Sequence, residues 1–183
     1  MLTRQGWGAA LTRDGLERTD ILAVHTDNLT RPAIEVQVKS ARAAKNLNYP
    51  LGLTSQKIAR SDREWFVFVA LPEQDDFRSA PRSFVVPRDH VAAAAHISHE
   101  DWRTDPNAAP GTRNAGVDMS RVGLWVWEDY EDRWDLLAHP TTEVPVLLPA
   151  HFEELAFGDR VGLPENHPWS TARPTWGEPA GRA

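Results

Sequence analysis

Cysteine is absent from the 183-residue chain. This excludes disulfides, cysteine-ligated zinc and thiol catalysis, and it suits a reducing compartment. No apolar run approaches the roughly 20 residues that cross a bilayer. Residues 1–10 lack the apolar stretch of a secretory signal, so the expected location is cytoplasmic, with no membrane partner. No phosphate-binding glycine pattern and no Gly-x-Ser-x-Gly elbow occurs. An overall excess of positive charge is also missing. The net charge is −6, which argues against general nucleic-acid affinity from charge alone.

The charges that are present are unevenly distributed. Residues 1–63 carry a balance of +4 and the remainder −10. Between positions 39 and 63 stand Lys39, Arg42, Lys45, Lys57, Arg60 and Arg63 against the single acid Asp62. A local basic stretch can bind phosphate on an acidic protein, although a solvated surface would show the same pattern. At 41% hydrophobic and 25% charged, the composition is that of a globular domain able to bury a core without staples.

Residues 1–5 read as the last turn of a helix. Residues 7–12 and 19–25 read as strands around turn chemistry at Arg13-Asp14-Gly15. The near-continuous apolar run Ile21-Leu22-Ala23-Val24 predicts a strand buried on both faces. Residues 34–39 alternate strictly, with Ile34, Val36 and Val38 on one side and Glu35, Gln37 and Lys39 on the other. A loop follows at 41–50, then a weakly patterned helix at 54–63 with Thr54 as N-cap. Residues 65–71 and 83–86 read as strands, and 87–97 opens a helix with Pro at its first turn. Residues 104–120 are loop-rich, and 122–127 reads as a strand before an acidic turn.

Beyond residue 138 the chain turns proline-rich, with one short helix expected at 151–157. These signals predict an α/β domain over 1–138, a central mixed β-sheet flanked by helices, followed by a Pro-rich tail over 139–183. Trp169 and Trp176 suggest that the tail docks in part.

One constellation carries chemistry. Asp20 opens a strand, and seventeen positions later Gln37 and Lys39 share one face of the next. Residues two apart on a strand lie about 6.6 Å apart on the same side. A hard divalent cation takes oxygen ligands, and Asp20, the Gln37 amide oxygen and the Val38 carbonyl supply them. Lys39 then has the place to hold an attacking water or screen phosphate charge.

The runs Thr19-Asp20-Ile21-Leu22-Ala23-Val24 and Ile34-Glu35-Val36-Gln37-Val38-Lys39-Ser40 resemble the core of the PD-(D/E)XK, or restriction-endonuclease-like, superfamily. They are most similar to its Holliday-junction-resolvase-like branch, in which a strand ends in acid-x-Lys-Ser. The resemblance covers roughly residues 1–98, with the later strands in matching order. It implies a metal-dependent nuclease that hydrolyses DNA phosphodiesters with Mg2+ or Mn2+. Asp20, Gln37, Lys39 and Glu35 would be its catalytic residues, and Asp20, Gln37 and Val38 its metal ligands. Arg42, Lys45, Lys57 and Arg60 would contact the DNA backbone.

The chain departs from that pattern twice. Gln37 stands where the superfamily has an acid, and Glu35 is placed to substitute for it. The opening helix is reduced to residues 1–5. Both departures favour an alternative, a catalytically inactive module that kept the fold and binds nucleic acid or protein. A relic without activity is a third reading, and a homodimer stays open as the assembly. His96 and His99, spaced i, i+3, read as surface histidines, because a third ligand is missing. Trp125, Trp127 and Trp134 read as core rather than as stacking platforms.

Overall fold

The computed structural model describes residues 1–12, 17–30, 32–42, 46–76 and 78–177. The turn at Arg13-Asp14-Gly15 and the predicted DNA contact Lys45 fall outside them. The chain is α/β. Its strands are β1 Trp7–Leu11, β2 Ile21–His25, β3 Ala33–Arg42, β4 Asn48–Pro50, β5 Glu64–Leu71, β6 Arg82–Pro87 and β7 Arg121–Gly123. Its α-helices are α1 Arg88–Arg103 and α2 His151–Phe157.

The chain forms two compact units that interleave along the sequence. The first comprises Met1–Ala44, Ala59–Arg88 and Tyr130–Val144. The second comprises Lys45–Ile58, Asp89–Asp129 and Pro145–Ala183.

The first unit is built on a mixed five-stranded sheet in the order β1-β2-β3-β5-β6. β1, β2 and β3 form an antiparallel meander, β5 runs parallel to β3, and β6 returns antiparallel to β5. β5 has a neighbour on each side, which accounts for its unbroken apolar run. Trp65, Phe66, Val67 and Phe68 are all at most 5% exposed. Each such side chain contributes about 1.5–3 kcal/mol by leaving water.

Side-chain alternation gives the sheet two different faces. Ile21, Val36, Val38, Val67 and Val69 line an apolar cavity of about 560 Å³ together with Leu2 and Trp134. The opposite face carries Glu35, Gln37 and Lys39, which the parallel register sets beside Glu64, Phe66 and Phe68. The helical turn expected at the start is a 3-10 turn, Leu2–Gln5, closed by Gly6 at φ 78°. Glycine adopts that left-handed backbone at no steric cost.

β2 is not buried on both faces as expected. Ala23 is 1% exposed but Leu22 is 40% exposed. Strand neighbours cover its edges, whereas its faces depend on what packs above and below.

The second unit contains the β4–β7 pair, the length of α1 from Asp89 onward, and α2. α1 buries its alanine run, Ala92 to Ala95, at 3% exposure or less. α2 forms over the predicted residues 151–157. The proline-rich stretch buries Val146, Leu147, Leu148, Phe152 and Trp169.

Four local expectations are corrected. Residues 54–63 form turns instead of a helix. The Glu64 carboxylate accepts from the Arg60 N–H at 2.5 Å and the Ser61 N–H at 3.3 Å. Those donors are thereby withdrawn from a helical ladder.

Residues 122–127 are a strand only as far as Gly123; Leu124–Tyr130 is a 3-10 helix. Val126 and Trp127 are buried on that helix. Trp127 and Trp134 are core as expected, but Trp125 is 53% exposed and stacks on the His151 ring at 5.8 Å. Finally, His99 is buried, whereas His96 is half-buried and its Nε2 lies 2.7 Å from the Gly162 carbonyl.

Candidate functional site

The candidate site lies in the first unit, at the end of the β2–β3 ladder. Pairing stops at Ile21 and Val36. One residue earlier, the Asp20 N–H donates to the Val36 carbonyl at 2.9 Å. The Asp20 carboxylate then takes the place of a strand residue, accepting the Val38 N–H through Oδ2 at 2.7 Å.

In extended backbone the N–H and C=O of one residue point to the same edge. The Val38 carbonyl therefore faces the edge that Asp20 occupies, beyond the end of β2. Asp20 is exposed, and among the described residues no hydrogen bond engages its second carboxylate oxygen. Two hard oxygen donors thus border one strand edge that no described strand pairs beyond Ile21, a set suited to a divalent cation that keeps several waters.

Glu35, Gln37 and Lys39 share the polar-bearing face of β3, but they do different things. The Thr19 hydroxyl donates to Glu35 Oε2 at 2.7 Å. Gln37 Oε1 accepts from Arg88 Nη2 at 3.0 Å. Lys39 is half-buried, and among the described residues no hydrogen bond or ion pair engages its ammonium.

The Gln37 contact leads into a buried charge cluster that the sequence did not reveal. Arg88 Nε lies 2.8 Å from Glu64 Oε2, and Arg18 Nη2 lies 3.1 Å from the same oxygen. Arg88 also donates to the Arg18 carbonyl at 3.2 Å and sits 4.6 Å above the Phe66 ring. Arg18, Glu64 and Arg88 are all 7% exposed or less. Two guanidiniums therefore contact one carboxylate, and Gln37 gives one of them a neutral oxygen acceptor. A small cavity of about 160 Å³ adjoins, lined by Glu17, Arg18, Thr19, Glu35, Arg60, Ser61 and Glu64.

A signal for this cluster does exist in the sequence. Glu64 and Arg88 flank the two most apolar strands directly. A charge attached to a buried strand has to be buried with a partner.

The predicted DNA contacts among the described residues are divided between the two units. Arg42 and Arg60 belong to the first unit and are exposed; Lys57 belongs to the second and is also exposed. Arg42 donates to the Pro72 carbonyl at 3.3 Å.

Protein-family models, curated proteins and solved structures give no match to this chain. The chemistry of the site therefore has to be argued from its own geometry.

Proposed function

We propose that the chain is a metal-dependent nuclease-like protein of restriction-endonuclease-like type that hydrolyses DNA phosphodiester bonds. The observation that carries this reading is the Asp20 carboxylate held against the Val38 N–H on the edge of β3 beyond the end of β2. Asp20 and the Val38 carbonyl fit the oxygen donors of Mg2+ or Mn2+; Gln37 fits less well, with one lone pair committed to Arg88. A divalent cation bound there lowers the pKa of its water and neutralises phosphate charge.

The chain's own residues do the remainder. Lys39 holds the attacking water or screens the non-bridging phosphate oxygens. The water oxygen bonds to phosphorus, one P–O bond to sugar breaks, and the water's proton passes through solvent to the departing oxygen. Arg42 and Arg60 supply backbone attraction on this unit.

A second reading is favoured by a specific observation. The Arg88 guanidinium already delivers a positive charge to Gln37. A resident cation beside the site opposes a second one, which favours an inactive module that binds nucleic acid or protein.

The two readings separate in one assay. The full chain is incubated with duplex, single-stranded and branched DNA in Mg2+ or Mn2+, beside Lys39→Ala and Asp20→Asn. Cleavage that both substitutions abolish supports hydrolysis. DNA binding without cleavage, equal in all three proteins, supports the module. Absence of both binding and cleavage on every DNA form defeats the nucleic-acid reading.

A further inference from the structure

The second unit contains a pocket unrelated to the strand edge above. Ser98, His99 and Trp102 on α1 face Ala115, Met119 and Arg121 across a cavity of about 360 Å³. The wall is mostly apolar with a few polar groups, which is the usual make-up of a small-molecule site.

Three features give this pocket a chemical preference. His99 is 5% exposed, and its Nε2 is buried with no hydrogen-bond partner among the described residues. Buried polar atoms are normally satisfied, so an unmatched one in a cavity wall leaves an unfilled hydrogen-bonding position. Trp102 is 39% exposed beside it, with ring centroids 5.9 Å apart.

The charge on the wall has one sign. Among the described residues Arg121 is the only charged residue lining the cavity, and no carboxylate pairs with it. Neighbouring Arg113 is already neutralised. Its Nη2 lies 2.9 Å from Asp105, its Nη1 donates to the Trp102 carbonyl at 2.5 Å, and its guanidinium lies 5.6 Å from the Trp102 ring.

We propose that this pocket binds a small planar aromatic anion. The ring lies against Trp102 and Met119, the anionic group meets Arg121, and a polar atom on the ring edge meets His99 Nε2. An arene carboxylate and a mononucleotide both have this chemistry.

The test needs no DNA and no metal, so it stands or falls separately from the nuclease reading. The 15N-labelled full chain is titrated with 2-naphthoate, 5′-AMP, adenosine and inorganic phosphate, and amide and indole shifts are followed by NMR. Saturable shifts at residues 98–102 and 115–121 are expected with 2-naphthoate, 5′-AMP or both. Adenosine and phosphate alone should bind at least about tenfold more weakly.

Binding of 2-naphthoate alone assigns the carboxylate source, and binding of 5′-AMP alone the nucleotide. Arg121→Gln lies on the surface and should weaken binding about tenfold at unchanged Tm. His99→Phe keeps the shape of the wall and should weaken binding as well. The proposal is overturned if neither anion shifts these residues at about 5 mM, beyond the millimolar limit of weak binding. It is equally overturned if Arg121→Gln binds as tightly as the parent.

Discussion

The Arg88 guanidinium donates to the side-chain carbonyl of Gln37 at 3.0 Å. Because Arg88 is also paired with Glu64, this contact ties Gln37 to a buried charge cluster.

Replacing Gln37 with Glu should therefore stabilise the protein. Gln37 already accepts from Arg88, and a carboxylate at position 37 would give that guanidinium a charged acceptor in place of a neutral one. A hydrogen bond to a charged acceptor exceeds a neutral one by about 1 kcal/mol, so urea unfolding should shift upward by that amount. An unchanged or lowered midpoint would place Arg88 elsewhere in solution.

Removing Arg88 should have the opposite effect. Arg88→Met leaves Glu64 buried with only Arg18, and breaking a buried pair costs about 3 kcal/mol. Adding Glu64→Leu to that variant should lower stability further, because Arg18 would then lose the Glu64 carboxylate in a buried position. A double-mutant cycle by chemical denaturation reads this coupling; additive effects would contradict the pairing.

At the strand edge, structure and chemistry can be separated. Asp20→Asn retains an acceptor for the Val38 N–H and should change stability by less than about 0.5 kcal/mol. Asp20→Ala leaves that N–H without its partner and should cost about 1 kcal/mol. Both variants should lose metal-dependent cleavage if the proposed function holds. Thermal melts set beside nuclease assays distinguish the two effects.

Stability should fall with acidification from neutral pH. Burial pushes the His90 imidazole down to about 3, with His167 adding to the shift. His167 is also lowered, first by burial, against a partly opposing contact with the Asp89 carbonyl. A depressed folded-state pKa means that the unfolded chain takes up protons first. The stabilisation is therefore complete above the ordinary value of 6.5 and is lost as pH drops toward 3. Each proton contributes at most about 1.4 kcal/mol per pH unit. Urea titrations between about pH 7.5 and pH 5 should show this slope, and His90→Phe should reduce it.

The strands of the first unit were legible because their signals are local. Alternation at Ile34 to Lys39 and the apolar run from Trp65 to Leu71 each declare a strand without reference to anything distant. The candidate positions Asp20, Gln37 and Lys39 were drawn from the same patterns.

Their partners could not be selected in that way. Arg88 is 51 positions from Gln37 and Arg18 is 46 positions from Glu64, so only tertiary pairing brings them together. The turns at 54–63 failed as a helix for a related reason, because a side chain outside the segment captured its backbone donors. The 3-10 helix after Gly123 was hidden because short apolar runs do not distinguish a strand from a tight helical turn.

Each compact unit is stitched from three separate lengths of chain. No single truncation can release either one whole, and a protease nick in a crossing segment would damage both. During synthesis the sheet-bearing unit must wait for the stretch ending at Val144, so its strands leave the ribosome well before the last of their own packing partners.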